Sequence, residues 1–286
     1  MMAELFRLEA PEMPRAPVLI CAIDSWIDAG LAAAQARREL VSAGNVSIVG
    51  RFDAELLVDH QARRPVMHIV DGVNTGIEWP AIDLQLGADP DGRRFLIVTG
   101  AEPDRSWRSM SRTILSLARQ AGVRLVVTLG SYPAPVPHTR TAKVVSTATT
   151  QALADQVGFL PGRLDVPAGF NAALERACAD EGLEACGLWA QVPHYVANMP
   201  YPAAAVALLS QLTRLSGVCF DLTTLRKAAV ETGSRLDTLV ASNLEHVGMV
   251  AQLERSFDEQ SVAIFPMPSG DELAAEVEQF LRNQND

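Results

Sequence analysis

Lysine is almost missing from this chain: 22 of its 24 basic residues are arginine, and Lys143 and Lys227 are the only candidates for any lysine-dependent chemistry. With alanine abundant as well, the arginine preference reads as a composition bias rather than a functional signal. Positive charge is in short supply overall. A net charge of −10 excludes a general nucleic-acid binder, because phosphate contacts need a basic surface, but it leaves a basic protein patch open as a partner. The four cysteines (Cys21, Cys178, Cys186 and Cys219) form no CxxC pair, which disfavours zinc and points to buried free thiols in a reducing cytoplasm. No apolar run approaches the ~20 residues of a membrane span. The first residues lack the basic stretch followed by an apolar core that marks a signal peptide. A soluble, cytoplasmic protein is expected.

Catalytic signatures are missing too. There is no GxxxxGK(S/T), so a lysine-bearing phosphate cradle is not expected, and no GxGxxG follows the first strand. In its place stands Asp24-Ser-Trp-Ile-Asp-Ala-Gly30, whose carboxylates would repel a diphosphate at a helix N-terminus. HExxH and GxSxG are absent. Neither a cofactor nor a metal is expected, although Asp24, Asp28 and Glu102 are the carboxylates that a divalent cation would have to use. The chain carries no internal repeat.

What is present organises around Phe95–Arg140. Phe95–Thr99 and Leu125–Leu129 are short, continuously apolar runs, the pattern of strands buried on both faces. Between them Trp107, Met110, Ile114, Leu117, Ala118 and Ala121 recur at helical spacing, with Gly122 placed to end the helix. This βαβ pattern predicts two parallel, neighbouring strands. Further strands are expected at Val18–Ile23, Val46–Phe52, Val66–Val70, within Thr139–Thr147 and at Gly187–Val192. Helices are expected over Leu31–Val41 (capped by Asp28), Ala148–Val157, around Leu174–Cys178, and from Pro202. The fold class is α/β, with a mostly parallel mixed sheet over residues 1–220. Beyond Asp221 only helices are expected, and residues 221–286 read as a helical extension packed on the core or on a neighbouring subunit. Leu236, Leu239, Val240, Leu244, Val247, Val250, Leu253 and Phe257 predict one long apolar stripe. Ser234 with Asp237, and Ser269 with Glu272, resemble capping boxes.

Polar residues gather after the strands, where open α/β sheets hold ligands. The candidate ligand-binding residues are Asp24, Trp26, Asp28, Asn74, Glu102, Arg105, Ser131, Tyr132, Arg140, His194 and Asn198. Glu102, His138 and His194 are the acid/base candidates, and Arg105 or Arg140 would hold an anion. The alternating Pro133, Pro135 and Pro137 stiffen the loop before His138. The same polar residues fit a second reading, in which they cap helices and pair with one another.

Five stretches, PVLICAIDSWIDAG, HIVDGVNTGIEWP, FLIVTGAEPDRSW, LVVTLGSYPAPVPHTR and HYVANMPYPAAAVALLSQLTRLSGVCFDLTTL, resemble in this order the bacterial branch of the proteasome assembly chaperone 2 family, over about Pro17–Leu225. The resemblance implies a three-layer α/β/α sandwich like that of nucleoside phosphorylases and related hydrolases, with added C-terminal helices. It also implies a homo-oligomer, often a trimer, and proteasome core subunits as protein partners. One departure stands out: the chain ends Arg282-Asn-Gln-Asn-Asp286, without the hydrophobic-tyrosine-any ending through which such chaperones can dock. A non-enzymatic assembly or scaffold factor is the first expectation. The alternatives are a nucleoside-like hydrolase or phosphorylase, or a ligand sensor, using the strand-end crevice.

Overall fold

The computed structural model describes residues 5–264. Its strands are β1 (Phe6–Leu8), β2 (Val18–Ile23), β3 (Ser47–Phe52), β4 (Val66–Val70), β5 (Val73–Glu78), β6 (Ile82–Ala88), β7 (Arg94–Gly100), β8 (Leu125–Ala134), β9 (Val144–Ala148) and β10 (Glu184–Pro193). Its helices are α1 (Ala32–Ala43), α2 (Ala54–Leu57), α3 (Trp107–Ala121), α4 (Gln151–Val157), α5 (Phe170–Asp180), α6 (Pro202–Ser216), α7 (Thr223–Ala241) and α8 (Leu244–Ile264).

Eight strands form one sheet in the order β1-β3-β6-β7-β2-β8-β10-β9, while β4 and β5 pair only with each other. The middle four, β7, β2, β8 and β10, are parallel, and antiparallel strands flank them on both sides. All six residues of β2 are buried. Such a strand needs apolar cover on both faces, which the centre of a sheet supplies. It pairs with β7 and β8 at once, Val18 standing opposite both Phe95 and Leu125. The βαβ reading therefore needs one correction. Strands Phe95–Thr99 and Leu125–Leu129 are parallel but not neighbours, because β2 lies between them.

Alternate residues of these strands feed two apolar clusters. Val18, Ile20, Ile97, Val127 and Leu188 meet α1 and α6, with Leu225 and Leu236 of α7 in the same cluster. Leu19, Cys21, Leu96, Val98 and Val126 meet α3 and α5 on the other face. This is a three-layer α/β/α sandwich. Burial pushes the thiols of Cys21, Cys178 and Cys186 up to about 12, so all three are neutral and unreactive at physiological pH.

Two helical expectations change. The stripe from Leu236 to Phe257 is two helices, not one. Asn243 interrupts it, its Oδ1 accepting from Glu245 N at 2.9 Å at the start of α8. Ser234 lies inside α7 rather than at a helix start, because Asp221 already takes the N–H and hydroxyl of Thr223 a full three turns earlier. The second capping box, Ser269 with Glu272, and the terminal Arg282–Asp286 lie outside the described residues.

Candidate functional site at the strand-exit edge

Parallel pairing carries the ends of β7, β2, β8 and β10 to one edge of the sheet, so Asp24, Glu102, Ser131 and His194 share a rim. What each side chain does there decides what the rim can do.

Asp28 is a structural hub. Its Oδ1 accepts from Ala33 N and from Ser131 Oγ, both at 2.8 Å, and its Oδ2 accepts from Ala34 N at 3.0 Å. One carboxylate thus caps α1 and ties the exit of β2 to that of β8. The Ser131 hydroxyl is fully buried and also lies 2.8 Å from Ala29 O. It faces no histidine base. Asp24 pairs with Arg37 of α1 at 2.6 Å. Glu102 is buried, and its Oε1 accepts from Phe170 N, the first N–H of α5, at 2.8 Å. Trp26 is half exposed and lies beside Gly169, next to that carboxylate. Asp104 accepts from Asp59 N at 2.8 Å, and Arg105 pairs with Asp59 at 3.4 Å. Tyr132 accepts from Gln191 at 3.0 Å, and burial raises its hydroxyl above the ordinary tyrosine value.

His138 and Arg140 point toward the C-terminal helices. The His138 ring is almost wholly buried, with Nδ1 2.6 Å from Tyr195 Oη and Nε2 3.2 Å from Asp237 Oδ1 of α7. The Tyr195 hydroxyl also accepts from His138 N at 2.8 Å. Arg140 forks onto Asp258 through bonds of 3.0 and 2.8 Å, and its third nitrogen reaches Glu254 at 3.0 Å. Thr139 donates to Glu254 as well, and the Lys143 ammonium sits 3.8 Å above the Phe257 ring. The loop between β8 and β9 is therefore a clasp on α7 and α8. His194 and Asn198 stay exposed on the exit of β10. Asn74 is not at the exit of a sheet strand. Its segment continues into β5 of the separate hairpin, where Asn74 Oδ1 accepts from Gly76 N at 3.0 Å. Among the described residues no three His, Cys, Asp or Glu side chains converge as a metal site.

The clasp yields a prediction. Arg140→Gln should speed amide hydrogen exchange across α8 while leaving the core's exchange unchanged, read by mass spectrometry of the Leu244–Ile264 peptides. Arg140 hydrogen bonds hold the Asp258 carboxyl below its usual value. A depressed carboxylate stabilises the fold above the unfolded value of about 4 and loses that contribution as pH falls through the folded one. The wild type should therefore loosen α8 only below about pH 4, whereas the variant is already loose at neutral pH.

Apolar side chains fill the space that the polar ones leave. On the β4–β5 hairpin Val66, Met67, Ile69, Val70, Val73 and Ile77 are all exposed, Ile69 at 57% and Val73 at 63%. Phe159, Leu160, Leu164 and Val166 are exposed on the loop before α5. The strand expected at Val66–Val70 is present as β4, but it pairs only with β5 and stands uncovered, which its sequence does not reveal because an apolar side chain looks the same whichever molecule covers it.

An α/β/α sandwich most of whose rim polar groups are engaged internally, and whose rim exposes apolar side chains beside them, is the class that fold and site define. The PAC2 family profile matches residues 22–240, and the chain belongs to the PAC2 family. It is similar to Mycobacterium tuberculosis Rv2714, a protein of unknown function, at 32% identity over 92% of this chain and 94% of that one, with a TM-score of 0.83. It is also similar to Mycobacterium tuberculosis Rv2125, described as a proteasome-assembly chaperone homologue, at 32% identity over 82% of this chain and 99% of that one (TM-score 0.76). A PAC2 family protein of Streptomyces avermitilis is 33% identical over 83% and 99% of the two chains, with a TM-score of 0.72. No curated protein matches.

Proposed function

We propose that this protein is a non-enzymatic assembly factor of the proteasome-assembly type. It works in the cytoplasm as a homo-oligomer, with a trimer favoured by kinship, and contacts proteasome core subunits through the apolar strand-exit rim. The helices from residue 221 onward act as an extension of the 1–220 core. The observation that carries this reading is the β4–β5 hairpin. A two-stranded hairpin is marginal in water by itself, and this one exposes apolar side chains along both strands. Large exposed apolar patches mark contact sites. Membership of the PAC2 family, with the similarity to a proteasome-assembly chaperone homologue, supports proteasome subunits as the kind of partner. Small-molecule turnover is less well supported, because Glu102 caps a helix and His138 is bonded to Tyr195 and Asp237.

The test mixes the purified protein with proteasome α and β core subunits from its own source and follows core-particle formation on native gels. Light scattering on the protein alone gives its oligomeric state. Wild type should accelerate assembly. The double variant Ile69→Asp/Val73→Asp should lose that effect while its melting temperature stays within about 2–4 °C, since exposed substitutions rarely move stability far. A variant as active as wild type, or a wild type without effect on assembly, defeats the proposal.

A further inference from the structure

The opposite edge of the sheet holds a feature that this reading does not use. Arg15 precedes β2, Arg94 begins β7 and Arg124 precedes β8, three strands that lie side by side. The register sets Arg94 and Arg124 on either side of Pro17, each one residue before the Phe95–Val18–Leu125 row. Neighbouring strands lie about 4.8 Å apart, so these two residues stand about 10 Å apart across the sheet. Arg124 N donates to Pro17 O at 2.8 Å and Ala16 N to Ala121 O at 3.0 Å, which fixes the three segments together. The Arg15 guanidinium passes over Gly122, with Nη1 3.1 Å from where a Cβ would sit.

The three arginines line one groove of about 430 Å³, with Ala16, Pro17, Gly92, Ala121 and Gly122 as its remaining walls. No carboxylate lines it. Among the described residues, none of the three makes an ion pair or a side-chain hydrogen bond. In a chain of net charge −10 that is an unusual concentration of uncompensated positive charge. The nearby acids are engaged or turned elsewhere. Asp91 pairs with Arg93, Glu181 with Arg119, and the buried Asp89 accepts from Cys219 N and Arg93 N. Glu184 begins β10 beside Leu125 and makes no ion pair among the described residues.

We propose that Arg15, Arg94 and Arg124 form a binding site for a compact polyanion of the phosphate class, a condensed phosphate chain either free or carried by a nucleotide. Guanidinium forks match phosphate oxygens two at a time. The groove's apolar walls are alanine and proline, with no aromatic on which a base could stack, so the phosphate chain supplies the recognition. A long acidic peptide fits less well. It would run out of the groove past Asp91, Glu181 and Glu184, whereas a compact ligand sits within one screening length of ~8 Å of the arginines.

Isothermal titration at about 50 mM salt, without divalent cations, should show one tripolyphosphate site per chain saturating below about 1 mM. ATP should bind equally well, within about threefold. Arg94→Gln and Arg124→Gln should each weaken binding about tenfold, corresponding to 1.4 kcal/mol for one lost charged contact, with melting curves unchanged. Arg124→Lys should recover part of the loss. No tripolyphosphate binding, binding indifferent to both Gln variants, or tighter binding of an oligoglutamate peptide would each overturn the assignment. Binding of ATP alone would show that the base, not the phosphate chain, is read, and would overturn it as well.

Discussion

Glu102→Ala should lower the stability of the fold by about 3 kcal/mol, seen as a shifted urea or thermal midpoint. The Glu102 carboxylate is 6% exposed and accepts from Phe170 N at the start of α5, where the helix dipole adds to the attraction. Truncation leaves that N–H without a partner at a buried site, and a desolvated, unpaired amide costs about 1–3 kcal/mol. It also opens a void beside Phe170, which adds a cavity cost of similar size. Glu102→Gln keeps an acceptor oxygen and most of the volume, so it should cost markedly less. A domain this size holds a margin of only about 5–15 kcal/mol. Loss of function in Glu102→Ala would therefore say nothing about catalysis, since an enzyme and a scaffold would both suffer. The pair that separates the functions is Glu102→Gln, which spares the fold, against the hairpin double variant, which spares the polar strand-exit residues and removes the apolar surface.

The parts of the fold legible in the sequence were those whose burial leaves a local trace. β2 is apolar throughout, and β7, β8 and β10 carry apolar runs along their buried stretches, because both of their faces are covered. α3 shows its buried side at helical spacing. β1 has three residues, and β5 exposes nearly every side chain, so neither leaves a pattern to read. Strand order escaped for another reason: a crossover helix carries no record of how many strands it passes, and α3 passes one. The rim itself was legible, since strand ends and turn residues mark it. The fate of its side chains was not. His138 meets Asp237 across 99 residues, and Arg140 meets Asp258 across 118. No local spacing encodes such pairs. Trp26 and Glu102 likewise share Gly169, a residue from a distant loop.

Gly100→Ala should do more damage than any other single methyl added at the rim. Gly100 ends β7, between Ile23 of β2 and Ile82 of β6, at the point where the chain turns into the loop bearing Glu102. Its φ is +122°, a backbone state that residues with a Cβ rarely adopt. A Cβ there would stand 1.9 Å from the carbonyl oxygen of Ala81, which itself accepts from Ala101 N at 3.1 Å. Neither partner is a flexible side chain, so the backbone of β7 or of the β6 entry must move, and both are hydrogen-bonded in the sheet. Strain of about 1–3 kcal/mol from the φ angle adds to about 1–3 kcal/mol for overpacking. The sum approaches half of a typical stability margin. The control is Gly217→Ala, at the end of α6, where φ is +72° but a Cβ would meet nothing within 4 Å. That variant carries the conformational cost without the clash and should lose about 1 kcal/mol. Both are read from urea midpoints of the soluble fraction. Equal losses in the two variants would mean that the β6–β7 contact yields to the methyl and does not fix the height of the Glu102 loop above the sheet.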